Sequence, residues 1–235
     1  MPVLHAERLT KTVGTGRGAR RVLDGVSLAV EVGEVVAVLG RSGTGKSTLL
    51  HLLGGLDAPD SGVISVAGAR LTGRGSRALS RIRLWHIGFV FQQFQLIDEL
   101  SGFENVLVPT RLPGAPAGGA RRAAALVRGL GLDAVADNRP HELSGGEQQR
   151  FAIARALVNN PEVILADEPT GSLDAANGAA VLELLANMPD RAVVIVTHEP
   201  EAAAIADRVY ALEAGALSRL ADENRRSGGA QASSR

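Results

Sequence analysis

The sequence predicts an α/β fold with an N-terminal antiparallel β subdomain and an inserted α-helical subdomain. Three observations carry this. Glu34–Leu39 is an apolar, β-branched run that enters a glycine-rich turn, Gly40–Gly45, and helical spacing follows over Lys46–Leu53. Strand, glycine turn, helix is an α/β opening. From about Gln92 to Val158 the patterning is helical, and three further strand-like runs then close the core.

In chain order, Val3–Leu9 and Val22–Val30 read as short strands around a Gly- and Arg-rich loop, Gly14–Arg21. Glu34–Leu39 reads as a buried strand because its apolar run is continuous rather than alternating. Val63–Val66 and Ile87–Phe91 are further short strands, with a helix over Ser76–Trp85. Ala120–Leu130 and Glu147–Val158 are helical, and Leu112–Gly119 is a Pro/Gly loop. Val163–Ala166, Ala192–Thr197 and Arg208–Leu212 return to strand, with a helix at Ala176–Met188 between the first two. This divides the chain into a core of residues 1–91 and 159–220 and a helical subdomain of about 92–158. Ala221–Arg235 is polar and small, as a disordered tail would be.

A chain of 235 residues that is 45% hydrophobic buries a sizeable core. Lys plus Arg (25) balances Asp plus Glu (25), so the basic surplus usual in nucleic-acid binders is missing and no nucleic-acid partner is expected. Cysteine is absent, which excludes disulfides and thiolate metal sites and fits a reducing compartment. The N-terminus lacks a charged region followed by an apolar one, and no apolar run approaches the roughly 20 residues that span a bilayer. The expectation is a soluble protein without direct membrane insertion, reaching a membrane only through a partner. Lysine occurs only at Lys11 and Lys46; every other basic residue is arginine. Lys46 therefore sits where an ammonium is wanted rather than a guanidinium.

Gly40-Arg41-Ser42-Gly43-Thr44-Gly45-Lys46-Ser47 matches G-x-x-x-x-G-K-[ST] without a mismatch. Glycines let the backbone curl so that successive N–H groups face phosphate oxygens, and the helix N-terminus behind them adds partial positive charge. Lys46 would reach the β- and γ-phosphates, Ser47 would ligate Mg²⁺ and Thr48 would meet the α-phosphate region. Val163-Ile164-Leu165-Ala166-Asp167-Glu168 is an apolar strand ending in two acids. Adjacent residues of a strand point to opposite sides, so Asp167 can hold Mg²⁺ while Glu168 orients or deprotonates a water at the γ-phosphate. An isolated acidic pair would be a solvated strand end; beside a phosphate cradle it reads as the metal and water site of an ATPase rather than a kinase. The two motifs describe a P-loop NTPase with a RecA-like core.

Leu143-Ser144-Gly145-Gly146-Glu147-Gln148-Gln149-Arg150 is a second glycine turn opening a helix. The cradle already wraps the phosphates, so Ser144, Gly145 and Gly146 would meet the γ-phosphate of a nucleotide on a second subunit. This string closely matches the signature motif of ABC ATPases, and the resemblance to that family covers roughly Val3 to Leu220. It implies that Gln92 is the Q-loop glutamine, sensing Mg²⁺ and the attacking water. It likewise implies that Asp174, in Gly171-Ser172-Leu173-Asp174, communicates across a dimer with Ser42, and that His198 is the switch histidine at the γ-phosphate. A lone histidine at a strand end is more often structural; its place at the end of a core strand favours the functional role. His5, His51, His86 and His141 match no such position and are taken as surface or packing residues.

LLHLLGGLDAPDSG, IGFVFQQFQLI and LADEPTGSLD look most like the lipoprotein-release and macrolide-export subfamily, whose partners are permeases with a large extracytoplasmic domain. The resemblance implies ATP and Mg²⁺ as cofactors, a head-to-tail homodimer, and a peripheral place on the cytoplasmic face through an integral membrane permease. One departure stands out. The family usually stacks adenine on an aromatic near position 13, where this chain has Val13, implying looser nucleotide binding or weaker base selectivity. Two other outputs are compatible with such a cassette: mechanical signalling through a permease that activates cell-wall hydrolases, and a non-transport ABC ATPase. The latter usually carries a coiled-coil arm, zinc motif or second cassette, none of which this sequence has.

Overall fold

The computed structural model describes residues 2–220, the side chain of Arg17 excepted. The tail expected at 221–235 lies outside the described residues. In chain order the elements are β1 (Leu4–Val13), β2 (Arg20–Val30), β3 (Val35–Leu39), α1 (Lys46–Leu53), β4 (Ser61–Val66), β5 (Ala69–Arg70), α2 (Ser76–His86) and β6 (Ile87–Phe91). Then follow α3 (Gly102–Leu107), α4 (Gly119–Gly129), α5 (Gly145–Leu157), β7 (Val163–Asp167), α6 (Ala175–Ala186), β8 (Ala192–Thr197), α7 (Glu201–Ile205), β9 (Arg208–Glu213) and β10 (Ala216–Arg219).

Two sheets form. β2-β1-β4-β5 is antiparallel, and β10-β9-β3-β8-β7-β6 is parallel except for the β10–β9 pair. The central strands β3, β7 and β8 are apolar except for the last residues of β7 and β8, Asp167 and Thr197, because both faces of the parallel sheet are covered. On one face the core is built by Val36, Val38, Leu165, Val194 and the α1 leucines, continuous with the antiparallel sheet. On the other, Ala37, Ile164, Val193 and Ile195 pack with Val181 and Leu185 of α6 and Ile153 of α5. A third cluster joins Val106, Ala123, Val127, Phe151, Ala154 and Val158, so α5 faces the sheet on one side and the α3–α4 layer on the other. Close approaches seal both contacts: a Cβ on Gly88 would come 2.5 Å from the Ala156 carbonyl, and one on Gly102 would come 2.5 Å from the Phe151 ring.

The register sets the functional edge. Leu39 pairs with Thr197, Asp167 with Val196, and Phe91 with Asp167, so β3, β8, β7 and β6 end side by side. The residues that follow, Gly40, His198, Glu168 and Gln92, therefore emerge at one carboxyl edge, where open α/β sheets bind ligands.

The first two strands run further than the sequence suggests. Thr12 and Val13 pair with Arg21 and Arg20 across the Gly14 turn, shortening the expected Gly14–Arg21 loop. Main-chain pairing needs no apolar side chain, so an exposed, arginine-rich hairpin end looks like a loop in sequence. α3, α7, β5 and β10 are also additional; all are short, and only α3 carries a clear signal, the Ser101/Glu104 capping box.

Candidate active site

The phosphate loop is built by glycines with two distinct duties. Gly43 and Gly45 take φ of 79° and 106°, which side-chain-bearing residues avoid. Gly40 and Gly45 also lack room: a Cβ would sit 2.9 Å from the Leu212 carbonyl and 2.8 Å from the Val22 carbonyl respectively. Arg41, Ser42, Gly43 and Ser47 are exposed, Thr44 and Thr48 half-buried. No side chain caps α1, so its first N–H groups are open to an anion. Lys46, 6% exposed, folds back on the loop, its Nζ donating to the Gly40 carbonyl (2.8 Å) and the Arg41 carbonyl (3.1 Å).

Asp167 ends β7 beside Ser47, which hydrogen-bonds its carboxyl. Burial pushes the carboxyl above its ordinary value, and the Ser47 bond only partly opposes this. Its Oδ1 is buried with no hydrogen-bond partner. A buried, unsatisfied carboxylate oxygen next to a hydroxyl fits a hard cation that takes its other ligands from phosphate and water. Among the described residues no group of three or more His, Cys, Asp or Glu forms a metal cage, and such a cation needs none.

Glu168 has other partners than Asp167, and strand alternation is not the whole reason. Its φ is 44°, so the chain leaves the strand in a left-handed turn while the Glu168 N–H still donates to the Val196 carbonyl at 2.8 Å. Glu168 Oε2 accepts from Thr197 Oγ1 (2.7 Å) and the His198 N–H (3.2 Å), and lies 2.9 Å from His198 Nδ1. Oε1 lies 3.4 Å from Lys46 Nζ. Burial alone would raise the Glu168 carboxyl, but Thr197, His198 and Lys46 outweigh it and hold the carboxyl below its ordinary value. Lys46 and Glu168 are thus an ion pair, and the His198 side chain beside them is 60% exposed.

Gln92 follows β6 and packs on Gly171, where a Cβ would come 2.8 Å from Gln92 Nε2. Two residues on, Phe94 and Gln95 have φ of 56° and 51°. The guanidinium of Arg155, on α5, donates to both of their carbonyls, at 2.7 Å for Phe94. Sequence reading missed Arg155, whose signal is a lone cation within the apolar run Phe-Ala-Ile-Ala-Arg-Ala-Leu. It also passed over Thr197, visible only as a polar end to an apolar strand.

Ser144 caps α5. Its Oγ donates to Glu147 Oε2 (2.7 Å) and accepts from the Glu147 N–H (3.3 Å); the Oγ–Oε2 bond and a second bond to Oε2 from the Ser144 N–H (2.8 Å) hold the Glu147 carboxyl low. Gly145 and Gly146 lie against the start of α6: a Cβ on Gly146 would fall 2.2 Å from Asn177 Oδ1. Asp174 caps α6, accepting from Asn177 N (2.9 Å) and Nδ2 (2.8 Å). Ser144, Gly145, Gly146 and Asp174 are thus one cluster. Among the described residues, no hydrogen bond or ion pair links it to Gly40–Thr48. Val13, 39% exposed, lies at the end of β1 beside Arg20.

A phosphate loop, a paired acid and histidine at one sheet edge, and a separate serine-capped helix that opens on two glycines define a nucleotide-hydrolysing cassette. The chain belongs to the ABC transporter family, whose family model matches residues 23–171, and is an ATP-hydrolysing subunit of that kind. It is 46% identical over 224 residues to the lipoprotein-releasing system ATP-binding protein LolD of Xanthomonas campestris pv. campestris, covering 93% of each chain. Against the macrolide export ATP-binding/permease protein MacB of Burkholderia pseudomallei it is 45% identical over 219 residues, covering 92% of this chain and 34% of that protein. A dimeric ATP-binding cassette, solved in a post-hydrolysis state with ADP and phosphate, superposes with a TM-score of 0.83 at 38% identity, covering 93% and 99% of the two chains. Among the described residues no helix is long and apolar enough to cross a membrane.

Proposed function

We propose that this chain is the cytoplasmic ATPase of an export or extraction permease of the lipoprotein-release and macrolide-export type, held on the inner face of the membrane by that permease. Two copies pair head to tail, each offering Gly40–Thr48 to a triphosphate and Ser144–Gly146 to the nucleotide of the other. The observation that carries this is the separation within one chain: Lys46, Glu168 and His198 meet at one sheet edge, while the Ser144 turn stands apart with Asp174.

When a triphosphate binds, Lys46 exchanges the Gly40 and Arg41 carbonyls for phosphate oxygens and releases Glu168. Ser47, Asp167 and Gln92 would hold Mg²⁺, which would supply neutralisation of phosphate charge at this edge. Arg41, Ser42, Gly43, Thr44 and Thr48 complete the cradle, and Val13 flanks the base. Glu168, kept ionised and oriented by Thr197 and His198, takes the proton of the attacking water. Asp174 lies beside Ser144 and so reports to the partner's cradle, at Ser42, whether the interface is closed. Closure needs both half-sites, and loss of the γ-phosphate removes the link between them.

The test is Glu168→Gln with ATP and Mg²⁺. A stable dimer in light scattering, together with phosphate release reduced by at least about 100-fold, is the expected result. Normal turnover would remove Glu168 from the mechanism.

A further inference from the structure

Val13 ends β1, Arg20 begins β2, and the two are Cα partners in the antiparallel ladder. Directly paired residues project on the same face of a ribbon, so the two side chains leave the hairpin on one side. From there Arg20 Nη2 donates to the Gly43 carbonyl, in the middle of the phosphate loop, at 3.3 Å. The same strand presses on that loop two residues later, where the Val22 carbonyl leaves no room for a Cβ on Gly45. The hairpin end is therefore the lip of the cradle, and Val13, Gly14, Thr15 and Arg20 are all exposed there.

Arg20 also has charge to spare. Its neighbour Arg21 is paired with Asp24 at 3.1 Å, whereas among the described residues no carboxylate lies within 4 Å of the Arg20 guanidinium. A nucleoside whose phosphates lie on Gly40–Thr48 has to leave the cradle over an exposed side, and this lip is one. There it meets an isopropyl group and a planar, weakly hydrated cation. Guanidinium planes stack on aromatic faces, and every base has such a face.

We propose that Arg20 supplies the nucleobase contact that Val13 cannot, its guanidinium plane serving as the platform for the base. A platform that reads the face and not the edge accepts purines alike, so this ATPase binds ATP and GTP with similar affinity. The proposal rests on the assignment of Gly40–Thr48 as the triphosphate site.

The experiment is calorimetric titration of the purified full-length chain with ATP, GTP and inorganic tripolyphosphate in Mg²⁺, for wild type, Arg20→Ala, Arg20→Lys, Arg20→Trp and Lys46→Ala. Arg20→Ala is expected to weaken ATP and GTP equally, by about twofold to fivefold, and to leave tripolyphosphate unchanged. Arg20→Trp restores the nucleotides and Arg20→Lys does not. An Arg20→Ala chain that binds ATP as wild type does overturns the proposal. So does an equal loss on tripolyphosphate or full rescue by lysine, since either makes Arg20 a phosphate contact. Lys46→Ala tests the underlying assignment separately: it abolishes binding of all three ligands if the loop holds the phosphates, whatever Arg20 does.

Discussion

Thr197 holds the proposed base, Glu168, through a single hydroxyl. It is fully buried at the end of β8, donates to Glu168 Oε2 at 2.7 Å and accepts from the Glu199 N–H at 3.0 Å. Burial tends to raise the Glu168 carboxyl, and the Thr197 bond leads the contacts that hold it down. Valine has nearly the same shape and no donor, so Thr197→Val removes one contact that favours the charged carboxylate. The pKa of Glu168 then rises, and the acidic limb of the pH profile of kcat moves to higher pH. Loss of the bond also costs about 1–2 kcal/mol of stability. Steady-state kinetics between pH 5 and 9 and thermal melting check both; an unmoved acidic limb would mean that Glu168 does not set it.

At the scale of elements, the loop after β6 is held in a conformation its own residues resist. Phe94 and Gln95 both lie in the left-handed region, at a cost of about 1–3 kcal/mol each for side-chain-bearing residues. Arg155 offsets this with charge-assisted bonds to both carbonyls and thereby ties α5, the helix that Ser144 opens, to the segment that carries Gln92. Arg155→Ala should let the loop relax and displace Gln92 from Gly171. The expected outcome is a kcat at least about tenfold lower with ATP affinity within about twofold of wild type, since Lys46 and the α1 N-terminus are untouched. Equal losses in kcat and affinity would indicate general damage to the site instead.

Over the whole molecule, the seam between the two sheets depends on Arg208. It rises from β9, bonds both oxygens of Glu34 and reaches the Ala29 carbonyl of β2. Burial alone would raise the Glu34 carboxyl, but the Arg208 and Glu31 bonds and the guanidinium charge leave it below its ordinary value of 4.5. Its contribution to stability is therefore present above about pH 4.5 and lost as pH falls through the lower folded-state value. Glu34→Gln should cost about 1–2 kcal/mol at pH 7, or roughly 2–8 °C in Tm, with the gap closing on acidification. A gap independent of pH would exclude the ion pair as its cause. Dimer geometry has its own test. Lys46→Ala and Ser144→Arg should each be inactive, yet their mixture should recover roughly a quarter of wild-type turnover through heterodimers with one intact composite site. No recovery in a mixture shown to form heterodimers would rule out independent sites completed by the second copy.

The cradle, the acid pair and the glycine turn before α5 are legible in sequence because each is a local device: glycines for left-handed φ and close approach, a helix start for anions, acids at a strand end; His198 carries no such local pattern and is singled out only by the family resemblance. Buried strands are legible for a similar reason, since β7 and β8 must be apolar on both faces. What only the tertiary structure decides is which of these devices meet. Parallel register brings Gly40, Gln92, Glu168 and His198 to one edge from positions up to 158 residues apart. The left-handed turn at Glu168 aims its carboxylate at Lys46, and packing of α5 puts Arg155 under the Gln92 loop. Pattern along a chain records what each segment buries; it holds no record of which segments lie together, because that is settled by the summed packing of all of them.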